Sequence, residues 1–138
     1  MNTGISYIDT KKDLPCDQLQ TLFVSAGWSD GSMTKYMNIP FINSTLVISA
    51  WDGDLLVGVV RVLSDKIIRS VIYDLVVLPE YKNKGIGKNL VKRCIKHYPK
   101  SEWLVQTENE ISNYYEKMGF KMYTNVVLTI PPIYQRTE

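Results

Sequence analysis

Apolar and polar positions recur with two different periods along this chain, and the changes of period mark out its elements. Residues 4–9 alternate closely enough to predict a first strand. Asp13 and Pro15 open a helix that carries Leu19, Leu22, Phe23 and Ala26 on one face and stops at Gly27. Residues 28–43 are less patterned. Ser32 is placed to cap a short helix containing Tyr36, Met37 and Ile39, which Pro40 must end or bend. Residues 45–51 predict a strand, Asp52-Gly53-Asp54 a hairpin turn, and residues 55–63 the returning strand. A second turn at 64–66 leads into a third long strand over 67–78.

The period then becomes helical. Ile86, Leu90, Val91, Cys94, Ile95 and Tyr98 form one stripe, opposite Lys88, Asn89, Lys92, Arg93 and Lys96, and Pro99 closes the helix. Residues 103–107 read as a strand, and a strand–helix–strand crossover makes it parallel to the strand before the helix. Residues 110–118 predict a short helix ended by Gly119. Final strands are expected at 120–123 and 126–130, and Pro131-Pro132 begins a polar tail. No repeat or linker divides the chain, so residues 1–138 are expected to form a single domain.

Composition narrows the function classes. With 45% hydrophobic and 22% charged residues the chain is globular, and a net charge of +2 calls for no nucleic-acid partner. No apolar run is long enough for a membrane span, and no signal-peptide pattern opens the chain, so a cytoplasmic protein is expected. Cys16 and Cys94 have no metal or redox spacing. Cys94 falls on the apolar stripe, as a buried thiol would, and no metal is called for.

The chemistry concentrates where the third strand meets the long helix. Pro79 stops the strand, and a basic turn with Gly85 and Gly87 opens the helix. First-turn N–H groups have no intrahelical partner and lie at the positive end of the helix dipole. The two glycines let a phosphate approach the main chain, and Lys82, Lys84 and Lys88 add positive charge. Two common phosphate loops do not fit. A P-loop ending at Gly87-Lys88 would need glycine at 82, where lysine stands, and Asn89 replaces its metal-binding hydroxyl. A dinucleotide fingerprint would need a third glycine at Leu90.

Val77-Leu-Pro79 followed by Lys82-Asn-Lys-Gly-Ile-Gly87 resembles the GNAT superfamily of acyl-CoA-dependent N-acyltransferases, whose signature is Gln/Arg-x-x-Gly-x-Gly/Ala after a strand ending in Val-x-Pro. Lys82 departs from it, keeping the charge but losing the guanidinium fork. Downstream, Glu108-Asn-Glu-Ile-Ser-Asn-Tyr-Tyr-Glu-Lys-Met-Gly-Phe120 is similar to the family's Asn-x-x-Ala-x-x-Phe/Leu-Tyr-Glu-Lys-x-Gly-Phe helix, with Asn109 one place nearer the tyrosine than usual. The resemblance covers most of the chain. It implies an α/β (α+β) GNAT fold: a mixed, mostly antiparallel sheet of six to seven strands, about four helices, and a central parallel strand pair splayed to hold CoA.

The activity implied is transfer of acetyl from acetyl-CoA, as co-substrate, to a primary amine by direct attack in a ternary complex. Lys82, Asn83, Lys84, Gly85, Ile86, Gly87 and Lys88 would hold the pyrophosphate, and main-chain groups of Val77 and Leu78 the pantetheine arm. Asn109 is a further candidate contact to the cofactor. Tyr115 matches the tyrosine that protonates the leaving thiolate in many members, while Tyr114 is expected in the core. Asp74, just before the cofactor residues, is the candidate base, the alternative being a strand-end carboxylate paired with a neighbouring basic residue. His97, the one histidine, sits near a helix end where a solvated imidazole is ordinary.

The acceptor region maps to residues 27–43, with Trp28, Tyr36 and Met37 as candidate lining and Asp30 as a candidate anchor for the amine, although core packing accounts for the lining residues as well. Polyamine, aminoglycoside, arylalkylamine, amino acid and peptide amines all remain compatible. A catalytically silent CoA-binding module on the same fold is the alternative, and edge strands near the C-terminus are suited to a homodimer. A nucleic-acid binder using the Lys82–Lys96 basic run lacks interleaved aromatics for stacking bases.

Overall fold

The computed structural model describes residues 4–32 and 34–133, and its contacts cluster in two compact units, Met1–Thr107 and Glu108–Glu138. The first unit runs β1 (Ile5–Ile8), α1 (Cys16–Ser25), a 3-10 turn (Thr34–Tyr36), α2 (Ile39–Ile42), β2 (Leu46–Asp52), β3 (Leu55–Ser64), β4 (Arg69–Val77), a second 3-10 turn (Pro79–Tyr81), α3 (Ile86–His97) and β5 (Glu102–Val105). The second unit holds α4 (Asn109–Glu116). The sheet order is β1-β2-β3-β4-β5, antiparallel throughout except for the parallel pair β4–β5 that the crossover through α3 requires.

The mixed α/β architecture and four helices are as expected. The sheet, however, has five strands rather than six to seven. Residues 120–123 and 126–130 form no strand, and β5 is therefore an edge rather than a central strand among the described residues. A strand exists only with a partner, and residues 121–130 make no hydrogen bond among the described residues. Residues 134–138 of the expected polar tail lie outside the described residues.

Two further differences have local causes. Asp65 Oδ1 accepts N–H bonds from Ile67, Ile68 and Arg69 at 2.7, 2.6 and 3.2 Å, holding residues 67–68 in a turn so that β4 starts at Arg69. Those backbone bonds, led by the one from Ile67, also draw the Asp65 carboxyl below its usual range. Pro40 does not end a helix but sits in the first turn of α2, where its missing N–H costs nothing.

Six successive residues of β2 and five of β3 are buried, so these strands are covered on both faces, with α1 and α3 packed on the sheet. Gly58 sets the closeness of α3. A Cβ there would lie 3.3 Å from both Ile86 Cγ2 and Leu90 Cδ1. Ile86, Leu90, Val91 and Cys94 are the buried stripe of α3, and burial pushes the Cys94 thiol up to about 12.

Candidate active site

The turn into α3 is built by backbone geometry. Lys82 is extended, Asn83 and Gly85 both take positive φ (64° and 79°), and Gly85 caps the helix with no side-chain bond. Asn89 N–H makes the first intrahelical bond, to Gly85 O at 2.9 Å, so the N–H groups of Ile86, Gly87 and Lys88 face out of the helix end. Lys82, Lys84 and Lys88 are exposed and meet no carboxylate among the described residues. Tyr81 Oη donates to Asp52 Oδ2 at 2.6 Å and pins the turn to the end of β2. That bond holds the Tyr81 phenol above its usual range.

Beside this turn the parallel ladder opens. β5 pairs with β4 from Arg69↔Glu102 only as far as Ile72↔Val105, whereas β4 continues to Val77. Leu78 N–H donates to Val57 O and its carbonyl accepts from Tyr81 N–H, both at 2.9 Å, so Leu78 is fixed to β3 and to the turn. Main-chain groups alternate in direction along a strand, which aims those of Val77 and Leu75 at the side β5 has left. Of the two expected pantetheine contacts, Val77 has its backbone available and the Leu78 N–H does not.

A β-bulge coincides with the opening. Val62 faces Ile72 across the β3–β4 ladder, but Arg61 faces Asp74, with Tyr73 as the extra residue. Cross-strand neighbours share a face, and Arg61 Nε reaches Asp74 Oδ2 at 2.8 Å, with side chains 18% and 21% exposed. Arg61 also donates to Ser44 Oγ at 3.4 Å, and its guanidinium lies over Tyr73 and Phe41 at 5.4 and 5.9 Å. Asp74 Oδ1 accepts no hydrogen bond among the described residues. Phe41 in turn meets Phe23 (5.9 Å), and Phe23 meets Trp28 (5.4 Å). A continuous run of rings and one cation thus links the expected acceptor region to Asp74.

Sequence reasoning did not single out Phe41, Ser44 or Tyr73, and it expected a basic neighbour for Asp74 without assigning that place to Arg61. The available signal was a lone arginine inside Leu55-Leu-Val-Gly-Val-Val-Arg-Val, where an apolar strand carries one charge that must find a partner. Among the other expected acceptor residues, Trp28 and Tyr36 are about half exposed, with Lys35 over the Tyr36 ring at 5.0 Å. Asp30 is exposed and bound to Ser32, whose hydrogen bonds draw its carboxyl below the usual range.

In the second unit, Asn109 is exposed at the first position of α4, and Tyr115 is buried between the rings of Tyr114 (5.2 Å) and Phe120 (5.6 Å). Burial first, and the neighbouring Tyr114 second, push the Tyr115 phenol up to about 12. Tyr114, expected in the core, is 42% exposed, because consecutive helical positions cannot both face inward. His97 is accounted for elsewhere. In an open groove of about 490 Å³ between β1 and α3, its Nε2 lies 2.8 Å from Asp9 Oδ2, and Arg93 stacks on Tyr7. No described helix is long and apolar enough to cross a membrane.

The acetyltransferase (GNAT) domain family matches residues 10–128. An uncharacterized N-acetyltransferase, ycf52, of Pyropia yezoensis is 28% identical over 121 residues, covering 83% of this chain and 69% of that protein. A mycothiol acetyltransferase of Corynebacterium efficiens is 30% identical over 102 residues, which is 68% of this chain but 34% of the relative. A GNAT-family acetyltransferase of Streptococcus pneumoniae TIGR4 superposes with a TM-score of 0.75 at 23% identity, covering 94% of this chain and 98% of that one. An aminoglycoside acetyltransferase from an uncultured soil metagenomic sample gives 0.73 at 18%, covering 96% and 98%. These two likenesses show a shared fold. Together with a family match that runs from residue 10 to residue 128, they identify the chain as a member of the GNAT acetyltransferase family.

Proposed function

We propose that the protein uses acetyl-CoA to acetylate a primary amine by direct attack in a ternary complex. The observation that carries this reading is the opening of the β4–β5 ladder after Ile72, directly upstream of the Gly85 turn. An amide-bearing arm lying in that opening would satisfy main-chain groups of Val77 and Leu75 as an added strand does. Its pyrophosphate would meet the N–H groups of Ile86, Gly87 and Lys88, and the ammonium groups of Lys82, Lys84 and Lys88. An N–H of the β4 edge would take up charge as the thioester carbonyl becomes tetrahedral.

An amine with a pKa near 10.4 is neutral in only about one molecule in 2,500 at pH 7, so its proton needs an acceptor. Arg61 engages Asp74 Oδ2 and leaves Oδ1 to the amine, directly or through water. Nitrogen then bonds to the acetyl carbon, the carbon–sulfur bond breaks, and the thiolate takes a proton. Tyr115 is the candidate donor for that last step: its phenol is protonated throughout the physiological range, while its burial makes it a weaker acid than a free phenol.

Acetyl-CoA at 100 times its Kd should stabilise the fold by about 2.7 kcal/mol, read as a rise in melting temperature. Thiol release should follow with some member of a panel of polyamine, aminoglycoside, arylalkylamine and peptide amines; the aminoglycoside is included because one structural neighbour bears that name. Tyr115→Phe should lower kcat at least tenfold and keep the acetyl-CoA shift. A wild-type protein with neither shift nor thiol release would overturn the proposal, and one with the shift alone would leave a binder, not an enzyme.

A further inference from the structure

The β3–β4 turn carries the two most exposed large apolar side chains described in the first unit, Ile67 (72%) and Ile68 (69%). Single exposed apolar residues are ordinary, but these two are adjacent and stand at the tip of a hairpin. The backbone beneath them already has its partners. The N–H groups of Ile67, Ile68 and Arg69 donate to Asp65 Oδ1, that of Lys66 to Ser64 Oγ at 2.7 Å, and that of Asp65 to Arg69 O at 3.3 Å. Ile68 O accepts from Glu102 N–H at 2.8 Å. With every N–H from 65 to 69 engaged, the tip loses little when water is withdrawn from it.

The surroundings of the tip are basic. Lys66 and Lys100 line, with Ile67, His97, Tyr98 and Pro99, a groove between this turn and the end of α3. His97 also lines the groove between β1 and α3, where Lys92, Arg93 and Lys96 continue the cationic band. The neighbouring carboxylates are already engaged: Glu102 by Arg69 at 3.2 Å, Asp9 by His97, and Asp65 by the N–H groups of its own turn. Lys66, Lys92, Arg93, Lys96 and Lys100 meet no carboxylate among the described residues.

We propose that this end of the first unit docks on a membrane surface rich in anionic lipid, with Ile67 and Ile68 entering the acyl boundary and the cationic band resting on the headgroups. Such attachment needs no membrane-spanning segment. Neither part is enough alone, since two side chains bury little area and headgroup attraction is screened by salt; stable attachment takes both. A second copy of the chain is a poorer partner, because two such tips would set cations against cations. A protein partner would need carboxylates placed to match the band, whereas anionic lipids gather laterally beneath it. β4 runs away from the tip for nine residues, about 26 Å, so docking leaves the Gly85 turn at its far end clear of the lipid. The inference does not depend on the reaction proposed above.

The test is co-sedimentation of the full chain with phosphatidylcholine vesicles containing about 30% phosphatidylserine. At about 50 mM NaCl binding should be at least tenfold tighter than to phosphatidylcholine alone, and about 300 mM NaCl should remove most of it. Ile67→Ser with Ile68→Ser should weaken binding to the anionic vesicles at least tenfold. Lys66→Gln with Lys100→Gln should weaken it similarly and flatten the salt dependence. These four side chains make no hydrogen bond or ion pair among the described residues, so both variants should keep the wild-type circular dichroism. If the serine variant does not fold, Ile67→Ala with Ile68→Ala takes its place. A wild-type protein that ignores anionic vesicles overturns the proposal and leaves the tip to a protein partner. Equal binding to neutral vesicles also overturns it, as does anionic binding that the isoleucine variants leave unchanged.

Discussion

Removing Arg61 should cost more than removing the whole ion pair it belongs to. The guanidinium and the Asp74 carboxylate lie 2.8 Å apart and are each about one-fifth exposed. Arg61→Met would keep apolar contact with Phe41 and Tyr73 but strand the carboxylate in a poorly hydrated position. Breaking a buried pair costs about 3–5 kcal/mol; with a fifth of each group still in water, about 2–3 kcal/mol is expected here. Ser44 adds little, because its hydroxyl still donates to Pro40 O at 2.6 Å when Arg61 is gone. Changing Asp74→Asn in the same protein removes the charge left behind, so Arg61→Met/Asp74→Asn should recover about 1–2 kcal/mol of the single-variant loss. Urea unfolding followed by the fluorescence of Trp28, Trp51 and Trp103 measures all three variants against the wild type. Additive losses, or a cost below about 0.5 kcal/mol for Arg61→Met, would refute the idea that Arg61 is what keeps the Asp74 carboxylate in place.

Two other outcomes follow from local geometry. Gly85→Ala meets no neighbouring atom within 4 Å, so its cost is conformational: placing alanine at φ 79° should destabilise the protein by about 1–2 kcal/mol and reduce the melting-temperature rise with acetyl-CoA, whereas Gly85→Asn should retain most of both, and equal behaviour of the two variants would contradict the argument. Cys94 gives a signed pH dependence: its folded pKa of about 12 exceeds the unfolded 9.0, so the unfolded chain loses the proton first and stability falls as pH rises above 9. By pH 10 this amounts to about 1.4 kcal/mol, and Cys94→Ala should show a correspondingly shallower alkaline loss in urea titrations at pH 8 and 10; parallel profiles would refute it.

What could be read from the sequence was what the chain decides locally. Pro79, Gly85 and the 3.6-residue stripe of α3 constrain neighbouring backbone, and the structure places the turn where they put it. The strands at 120–123 and 126–130 were read on composition alone, and composition does not supply a partner. The contact of Arg61 with Asp74, thirteen residues on, was hidden for a third reason: it depends on register. From Ser64↔Ser70 to Val62↔Ile72 the β3–β4 ladder would bring Arg61 opposite Tyr73. The extra residue at the bulge passes Tyr73 over and brings Asp74 there instead. β5 leaves β4 at that same residue, Ile72. One inserted position therefore accompanies both halves of the candidate site, the paired carboxylate on β4 and the unpaired backbone just beyond it. A period-2 pattern cannot show such an insertion, because both sides of the bulge alternate normally. The charge that breaks the apolar run of β3 is the one trace it leaves in the sequence.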